Sequence, residues 1–255
     1  MIPEFVGIRS SFYIESMQER PEARKAERLL CLKHLKPQPG ESILETGAGG
    51  GFFTEIIAEA IHPGQLIATD PSHEQLASIQ PRSNLTTLTS GADTLPIDSP
   101  LLQAGSFDAI WSGASFHHVP NKTAAFKSYY SLLKPGGRLV LMDVFAGSKL
   151  AKHFDLEVAK YCATGHEVAF LSKEFADSLC HIAGFEKPTF YDGTIHWKFE
   201  SKIDIGTFLY KLHAMIKTTP ERCLEHAEKI LGVKYKNGLY CLKWPLTVLI
   251  TYKRS

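Results

Sequence analysis

The stretch Leu44-Glu45-Thr46-Gly47-Ala48-Gly49-Gly50-Gly51 decides the fold. It follows the apolar start of Ser42-Ile43-Leu44 and precedes an apolar-periodic segment from Phe52 to Ile61, so it reads as the turn between a buried strand and a helix. Glycines there let the backbone turn sharply and approach a ligand, and helix N-terminal N–H groups favour negative charge. Pro63-Gly64 then reads as a turn and Gln65 to Asp70 as a second strand, completing one strand-helix-strand unit. Asp70 ends that strand about twenty residues beyond the loop, where a carboxylate can accept two hydrogen bonds from a ribose diol.

Working outward, the alternation continues. A helix is predicted over His73 to Gln80, a strand over Leu85 to Thr89, a polar loop from Gly91 to Gly105 and a strand over Phe107 to Trp111. A helix from Thr123 to Leu133 ends at Lys134-Pro-Gly-Gly, and Arg138 to Val144 is a nearly continuous apolar strand. Strands alternating with helices predict a doubly wound, mostly parallel sheet. Upstream, Glu22 to Leu35 has helical apolar spacing, and the mixed signs of Glu22 to Arg28 read as a solvated face. Downstream, residues 148–163 read as helical, Ser172 as the cap of a helix to Ile182 with Gly184 beyond its end, and Phe185 to Tyr191 as a strand. Helices over Ile205 to Lys217 and Pro220 to Leu231 and a last strand over Leu246 to Tyr252 complete the reading. Trp197, Phe199, Phe208, Tyr210, His213 and Met215 fall in the stretch before that strand, where core packing accounts for most of them.

Length and composition bound the answer. A chain of 255 residues, 44% hydrophobic and 22% charged, fits one large folded domain rather than disorder or a repeat array. Lys plus Arg number 28 against 27 for Asp plus Glu, a net charge of +1, so no global field draws polyphosphate or anionic lipid, and no nucleic-acid partner is expected. No apolar run has membrane-spanning length, and the opening residues, with Glu4 early, lack the order of a secretory signal; a cytoplasmic location without a membrane partner is the expectation. The five cysteines are scattered without a Cys-x-x-Cys pair and read as reduced, mostly buried thiols. With adjacent His117 and His118 pointing apart and no ligand-spaced carboxylate or Cys beside them, no metal is expected.

The glycine pattern discriminates among nucleotide-type ligands. A dinucleotide fingerprint starting at Gly47 needs glycine where Phe52 stands, and a P-loop needs Gly-Lys-Ser/Thr, which is missing. The acidic-first pattern Glu45-x-Gly47-x-Gly49-x-Gly51 instead resembles motif I of the class I S-adenosylmethionine-dependent methyltransferases. Asp70, Gly91-Ala92-Asp93 with Leu95-Pro96, Phe107-Asp108 with His117-His118 after it, and Leu132-Leu-Lys-Pro-Gly-Gly-Arg-Leu139 are similar to four further segments of that family, in the family's order, over roughly Leu29 to Phe190.

The resemblance implies an α/β, Rossmann-like doubly wound fold with a mostly parallel seven-stranded sheet, an N-terminal helical lid and a helical insertion before the last strand. As one methyltransferase domain, residues 1–36 would be the lid, 37–191 the cofactor-binding core, 192–240 a substrate cap and 241–255 the last strand. It implies S-adenosylmethionine as cofactor, S-adenosylhomocysteine as product, and cofactor contacts at Glu45, Gly47, Ala48, Gly49, Gly51, Asp70, Pro71, Ala92, Asp93 and Ser112. Tyr13 matches a lid aromatic that closes over the cofactor, and reads equally well as a hydrophobic anchor. The implied reaction is methyl transfer to an O, N or C nucleophile of a small molecule. His117 and His118 read either as a general base or as pocket lining. The other readings are a protein substrate, or a non-enzymatic protein keeping the fold for regulation or assembly. Ser112-Gly-Ala-Ser stands where nucleic-acid amino-methyltransferases carry Asn/Asp-Pro-Pro-aromatic, and no Pro-Cys occurs in the chain.

Overall fold

The structure, a computed structural model, describes residues 5–97, 99–165 and 168–255. Glu4 and Asp98, which the readings of the chain's opening and of the Gly91 to Gly105 loop include, lie outside the described residues. The helices are α1 (Ile8–Glu19), α2 (Lys25–Leu35), α3 (Thr54–Ile61), α4 (His73–Leu76), α5 (Lys122–Leu132), α6 (Lys149–His153), α7 (Ala159–Tyr161), α8 (Lys173–Ala183), α9 (Lys202–Leu212) and α10 (Pro220–Ile230). The strands are β1 (Ser42–Thr46), β2 (Gln65–Asp70), β3 (Leu85–Thr89), β4 (Phe107–Gly113), β5 (Leu133–Asp143), β6 (Thr189–Phe199), β7 (Val233–Lys236) and β8 (Leu239–Tyr252). A 3₁₀ turn covers Phe116–His118, and a π-helical turn, Phe154–Val158, joins α6 to α7.

Strand order is β3-β2-β1-β4-β5-β8-β6, with β7 pairing β8. The contacts from β3 through β5 are all parallel, as alternating helices require, and β8 runs antiparallel to β5 from Arg138↔Tyr252 to Asp143↔Thr247. β1, β4 and the second half of β5 are almost continuously buried, which is why they read as unbroken apolar runs. The eighth strand corrects the seven-strand expectation. β7 and β8 form a hairpin whose two-residue turn is Asn237-Gly238, both at positive φ (52° and 80°). That geometry matches strand twist and selects Asn-Gly, so the dipeptide was a legible signal that the element reading passed over. β8 accordingly begins at Leu239, not Leu246.

The chain divides into two compact units. One comprises residues 30–143, 168–192 and 247–255 and holds the five parallel strands. Its helix ends follow chemistry visible in the sequence: Asn121 caps α5 by accepting from the Ala124 N–H, Ser172 caps α8, and Gly184 at φ 100° closes α8 with its N–H on the Cys180 carbonyl. α4 is one turn long rather than reaching Gln80, because Pro81 follows and disfavours helix at the residue before it. The expected strand at Phe185 to Tyr191 is displaced to β6, with Phe185 in an isolated bridge to Lys253.

The other unit comprises residues 5–29, 144–165 and 193–246. Trp197 and Trp244 stack with centroids 3.7 Å apart, flanked by Phe154, Phe208 and His213. Trp197, Phe199, Phe208 and Met215 are buried there as core. The expected solvated face at Glu22 to Arg28 is corrected: Arg24 and Glu27 are buried and form a two-pronged ion pair at 2.9 and 2.6 Å, and the Trp197 indole N–H donates to Glu27 at 2.6 Å. The partner that pulls Glu27 inward lies 170 residues away, so local charge pattern could not reveal it. All five cysteines are buried and unbridged. Among the described residues no helix is long and apolar enough to cross a membrane, and no group of three or more His, Cys, Asp or Glu could hold a metal ion.

Candidate functional site

The C-terminal ends of β1, β2 and β4 gather the polar residues singled out in the sequence. In open parallel sheets ligands bind beyond these strand ends. The Gly47 and Ala48 N–H groups both donate to the Thr69 carbonyl at the end of β2 (2.8 and 3.0 Å), which folds the glycine loop back across the sheet edge. Gly47 sits at φ 71°, and a Cβ there would lie 2.1 Å from Ser115 Oγ, so strain and space both demand glycine.

Asp70 is nearly buried, and its two oxygens hold the loops on either side of it. Oδ2 accepts the Gly49 N–H at 2.9 Å and Oδ1 accepts the Ser72 N–H at 2.8 Å. Burial pushes its carboxyl above the usual range against the pull of those two bonds. Each oxygen retains a second lone pair for a ligand hydroxyl. Pro71, between Asp70 and Ser72, is exposed, while Ala48 packs inward with Ala68 and Leu76.

Glu45 lies on β1 with its side chain fully enclosed, accepting from Thr54 Oγ1 at 2.6 Å. Its carboxyl is pushed up to about 8, chiefly by burial, with the nearby Asp70 charge adding to the shift and the Thr54 bond opposing it. Ala92 is buried beside the half-buried Asp93, whose Oδ2 accepts the Asn121 N–H at 3.0 Å. Ser112, at the end of β4, is buried, with its hydroxyl 3.4 Å from that of Ser115. These residues all belong to the unit of parallel strands. Tyr13 belongs to the other unit, on α1, where its ring meets Phe5 edge-on and its hydroxyl is 3.4 Å from Arg24 Nη1.

Beyond β4, the 3₁₀ turn carries His117 and His118 with ring centroids 4.2 Å apart. His117 is buried and its Nδ1 lies 2.6 Å from Oδ1 of Asp143, the last residue of β5; the other oxygen of Asp143 accepts the His117 backbone N–H at 3.0 Å. The sequence reading missed Asp143. Its signal was a carboxylate closing an apolar strand, the same signal that singled out Asp70. Lys122 completes this corner, donating to the carbonyls of Val119 at 2.7 Å and His117 at 3.4 Å.

The donor set has a consistent sign. Glu45, Asp70 and Asp93 flank a glycine loop, and burial resists the ionisation of the first two. Such a site suits a ligand with hydroxyls and positive charge, whereas a diphosphate would meet carboxylates.

Comparison with known proteins agrees. Residues 44–141 match the family described as Methyltransferase domain. Over 146 residues the chain is 34% identical to a ubiquinone biosynthesis O-methyltransferase of Xanthomonas axonopodis pv. citri, covering 55% of this chain and 59% of that one. Over 170 residues it is 28% identical to a demethylmenaquinone methyltransferase of Lactococcus lactis subsp. lactis, covering 63% of each. The chain thus spans less than two thirds of the length of these relatives. A solved S-adenosylmethionine-dependent methyltransferase of Thermotoga maritima matches with a TM-score of 0.63 at 19% identity, over 97% of this chain and 99% of that one, a likeness of fold.

Proposed function

Because this chain belongs to the class I S-adenosylmethionine-dependent methyltransferase family, we propose that it transfers the sulfonium methyl group of S-adenosylmethionine to an O, N or C nucleophile of a small-molecule acceptor and releases S-adenosylhomocysteine. The observation that carries this reading is the acidic lining of the glycine loop: Asp70 suits the ribose diol, and Glu45 with Asp70 suits a ligand bearing positive charge. In this reading Gly47, Ala48, Gly49 and Gly51 border the amino-acid end of the cofactor. Pro71 lies beside the ribose, Ala92 and Asp93 face the adenine, and Ser112 lines the floor.

The bound sulfonium brings both the activated methyl and its leaving group. The chain's part is to align the acceptor and exclude water, and alignment can lower the barrier by roughly 7–11 kcal/mol. A base is needed only where the acceptor must shed a proton; His117 and His118 stand where one is required. The relatives named for quinone biosynthesis make ring hydroxyls and ring carbons the first acceptors to test. Unbridged cysteines fit a reducing compartment, and a cytoplasmic location is part of this proposal.

Calorimetry with S-adenosylmethionine, S-adenosylhomocysteine and NAD tests it. Binding of the first two and not the third is expected. Tight NAD binding without response to S-adenosylhomocysteine would overturn the reading.

A further inference from the structure

In the unit that holds residues 193–246, the β7–β8 hairpin and the end of β6 build a basic face. The register sets Lys234 opposite Cys241 and Lys236 opposite Leu239, and side chains alternate across a strand, so Lys234, Lys236 and Lys243 share one side. Trp244 points to the other side, where it stacks on Trp197 with centroids 3.7 Å apart, and that fixes His196 and Lys198 of β6 on the side of the lysines. The charges meet there: after burial, Lys243, Lys234, Lys236 and Lys198 all act on the half-buried His196 ring and hold its imidazole below the usual range. Lys198, Lys234 and Lys236 are exposed, and among the described residues none of the four ammonium groups enters an ion pair. By contrast Lys25, Lys173 and Lys202 each sit within 2.7 Å of a carboxylate oxygen. Lysines that guard a sheet edge against pairing account for one or two such positions, yet Lys243 lies on β8, flanked by β6 and β7.

Four unpaired ammonium groups on one sheet face call for a partner with several negative charges. Three features select its kind. The cations are all lysine, compact point charges without the planar fork by which arginine reads single phosphates or base edges. The rings of the hairpin, Tyr235 and Tyr240, with centroids 4.9 Å apart, lie on the reverse side, so they offer no stacking platform among the lysines. The apolar neighbours on the lysine side are the half-buried Leu239 and the buried Cys241, too small an area for the apolar centre of a protein–protein interface. We propose that this face docks the protein peripherally on a bilayer surface rich in anionic phospholipid. Attraction to such a surface needs charge density and reach, each lysine near it adding about a fivefold factor to partitioning, and it needs no membrane-spanning helix. The expectation of no membrane partner rested on net charge and on apolar runs, neither of which registers a local patch. Docking of this kind is independent of the ligand that the glycine loop takes.

Cosedimentation of the full chain with vesicles tests the assignment. Vesicles of equimolar phosphatidylcholine and phosphatidylglycerol should bind the protein at low salt, vesicles of phosphatidylcholine alone should not, and about 1 M NaCl, which shrinks the Debye length to about 3 Å, should release it. The variant carrying Lys234→Ala and Lys236→Ala should bind the anionic vesicles about 25-fold more weakly. Both positions are exposed, so its circular dichroism and urea midpoint should stay native. A second variant, Lys25→Ala with Lys173→Ala, loses the same charge from ion pairs elsewhere and should bind as the wild type does. Equal binding of the wild type to neutral and anionic vesicles, or to neither, overturns the inference, and that result needs no variant. A folded Lys234→Ala, Lys236→Ala protein with undiminished binding overturns it as well, as does an equal loss in the Lys25→Ala, Lys173→Ala control, which would trace the attraction to net charge. If a structured RNA at the same phosphate concentration binds the wild type more tightly than the anionic vesicles do, and loses that advantage in the Lys234→Ala, Lys236→Ala variant, the face belongs to nucleic acid and the lipid assignment falls.

Discussion

Glu45 concentrates the electrostatics of the site in one proton. With its carboxyl pushed up to about 8 it is mostly neutral at pH 7, and a positively charged ligand placed beside it would favour the carboxylate. Binding of S-adenosylmethionine near neutrality should therefore release protons. Calorimetry in buffers of different ionisation enthalpy will register this as a buffer-dependent heat, which Glu45→Gln should abolish; identical heats in every buffer would place the ligand's charge elsewhere. Asp70 gives a second, simpler test. Its oxygens already anchor the Gly49 and Ser72 N–H groups, so Asp70→Ala removes ligand bonds and loosens the loop together. Each charge-assisted bond lost should cost about 1.5–3 kcal/mol of S-adenosylhomocysteine affinity. The far-ultraviolet circular dichroism should remain native, and undiminished affinity in such a folded protein would remove Asp70 from the ribose.

At the scale of elements, what was legible in the sequence is what local chemistry determines. β2 was read to its exact ends because a buried strand shows as an apolar run, and Ser172 and Gly184 marked helix ends because capping is chemistry between close neighbours. The glycine loop and Asp70 were legible for the same reason. The His117–Asp143 pair spans 26 residues and the Glu27–Trp197 bond 170, and such pairings exist only once the chain has folded. Two predictions follow from elements read incorrectly. Glu27 on α2 carries the buried Arg24 and the Trp197 indole, so Glu27→Ala strands a buried cation and should cost about 3–5 kcal/mol in urea unfolding. A loss below 1 kcal/mol would mean that Arg24 reaches water when its partner goes. Gly238 sits at φ 80° in the β7–β8 turn, where a β-branched residue is strained; Gly238→Val should lower the urea midpoint by the equivalent of about 1–2 kcal/mol, far less than Glu27→Ala.

For the whole molecule, two enclosed groups, one in each unit, set opposite slopes of stability against pH. His153, on α6, is enclosed by Phe154 and Trp244 with His226 nearby, and burial first, then His226, lowers its pKa to about 4. The His226 ring in turn faces the Glu157 carboxylate. Between pH 4 and 6.5 the unfolded chain holds a proton at His153 that the folded chain lacks, so stability from this group is complete above pH 6.5 and is lost as pH falls through 4. Glu45 acts in the other sense. Between pH 4.5 and 8 the folded chain holds a proton that the unfolded chain has released, so its stability is complete below pH 4.5 and is lost as pH rises through 8. From pH 4.5 to 6.5 the two slopes cancel. Above pH 6.5 Glu45 acts alone, and with one pKa unit worth about 1.4 kcal/mol the protein should be less stable at pH 8 than at pH 6.5 by on the order of 2 kcal/mol. Urea unfolding at the two pH values measures this difference, and Glu45→Gln, which keeps the shape and removes the titration, should flatten it. His153→Phe should leave the alkaline decline intact and uncover, between pH 4.5 and 6.5, the Glu45 slope that His153 offsets in the wild type, so that stability rises as pH falls through that window. If Glu45→Gln declines toward pH 8 as steeply as the wild type, the alkaline slope belongs to another group and Glu45 is ionised in the folded protein.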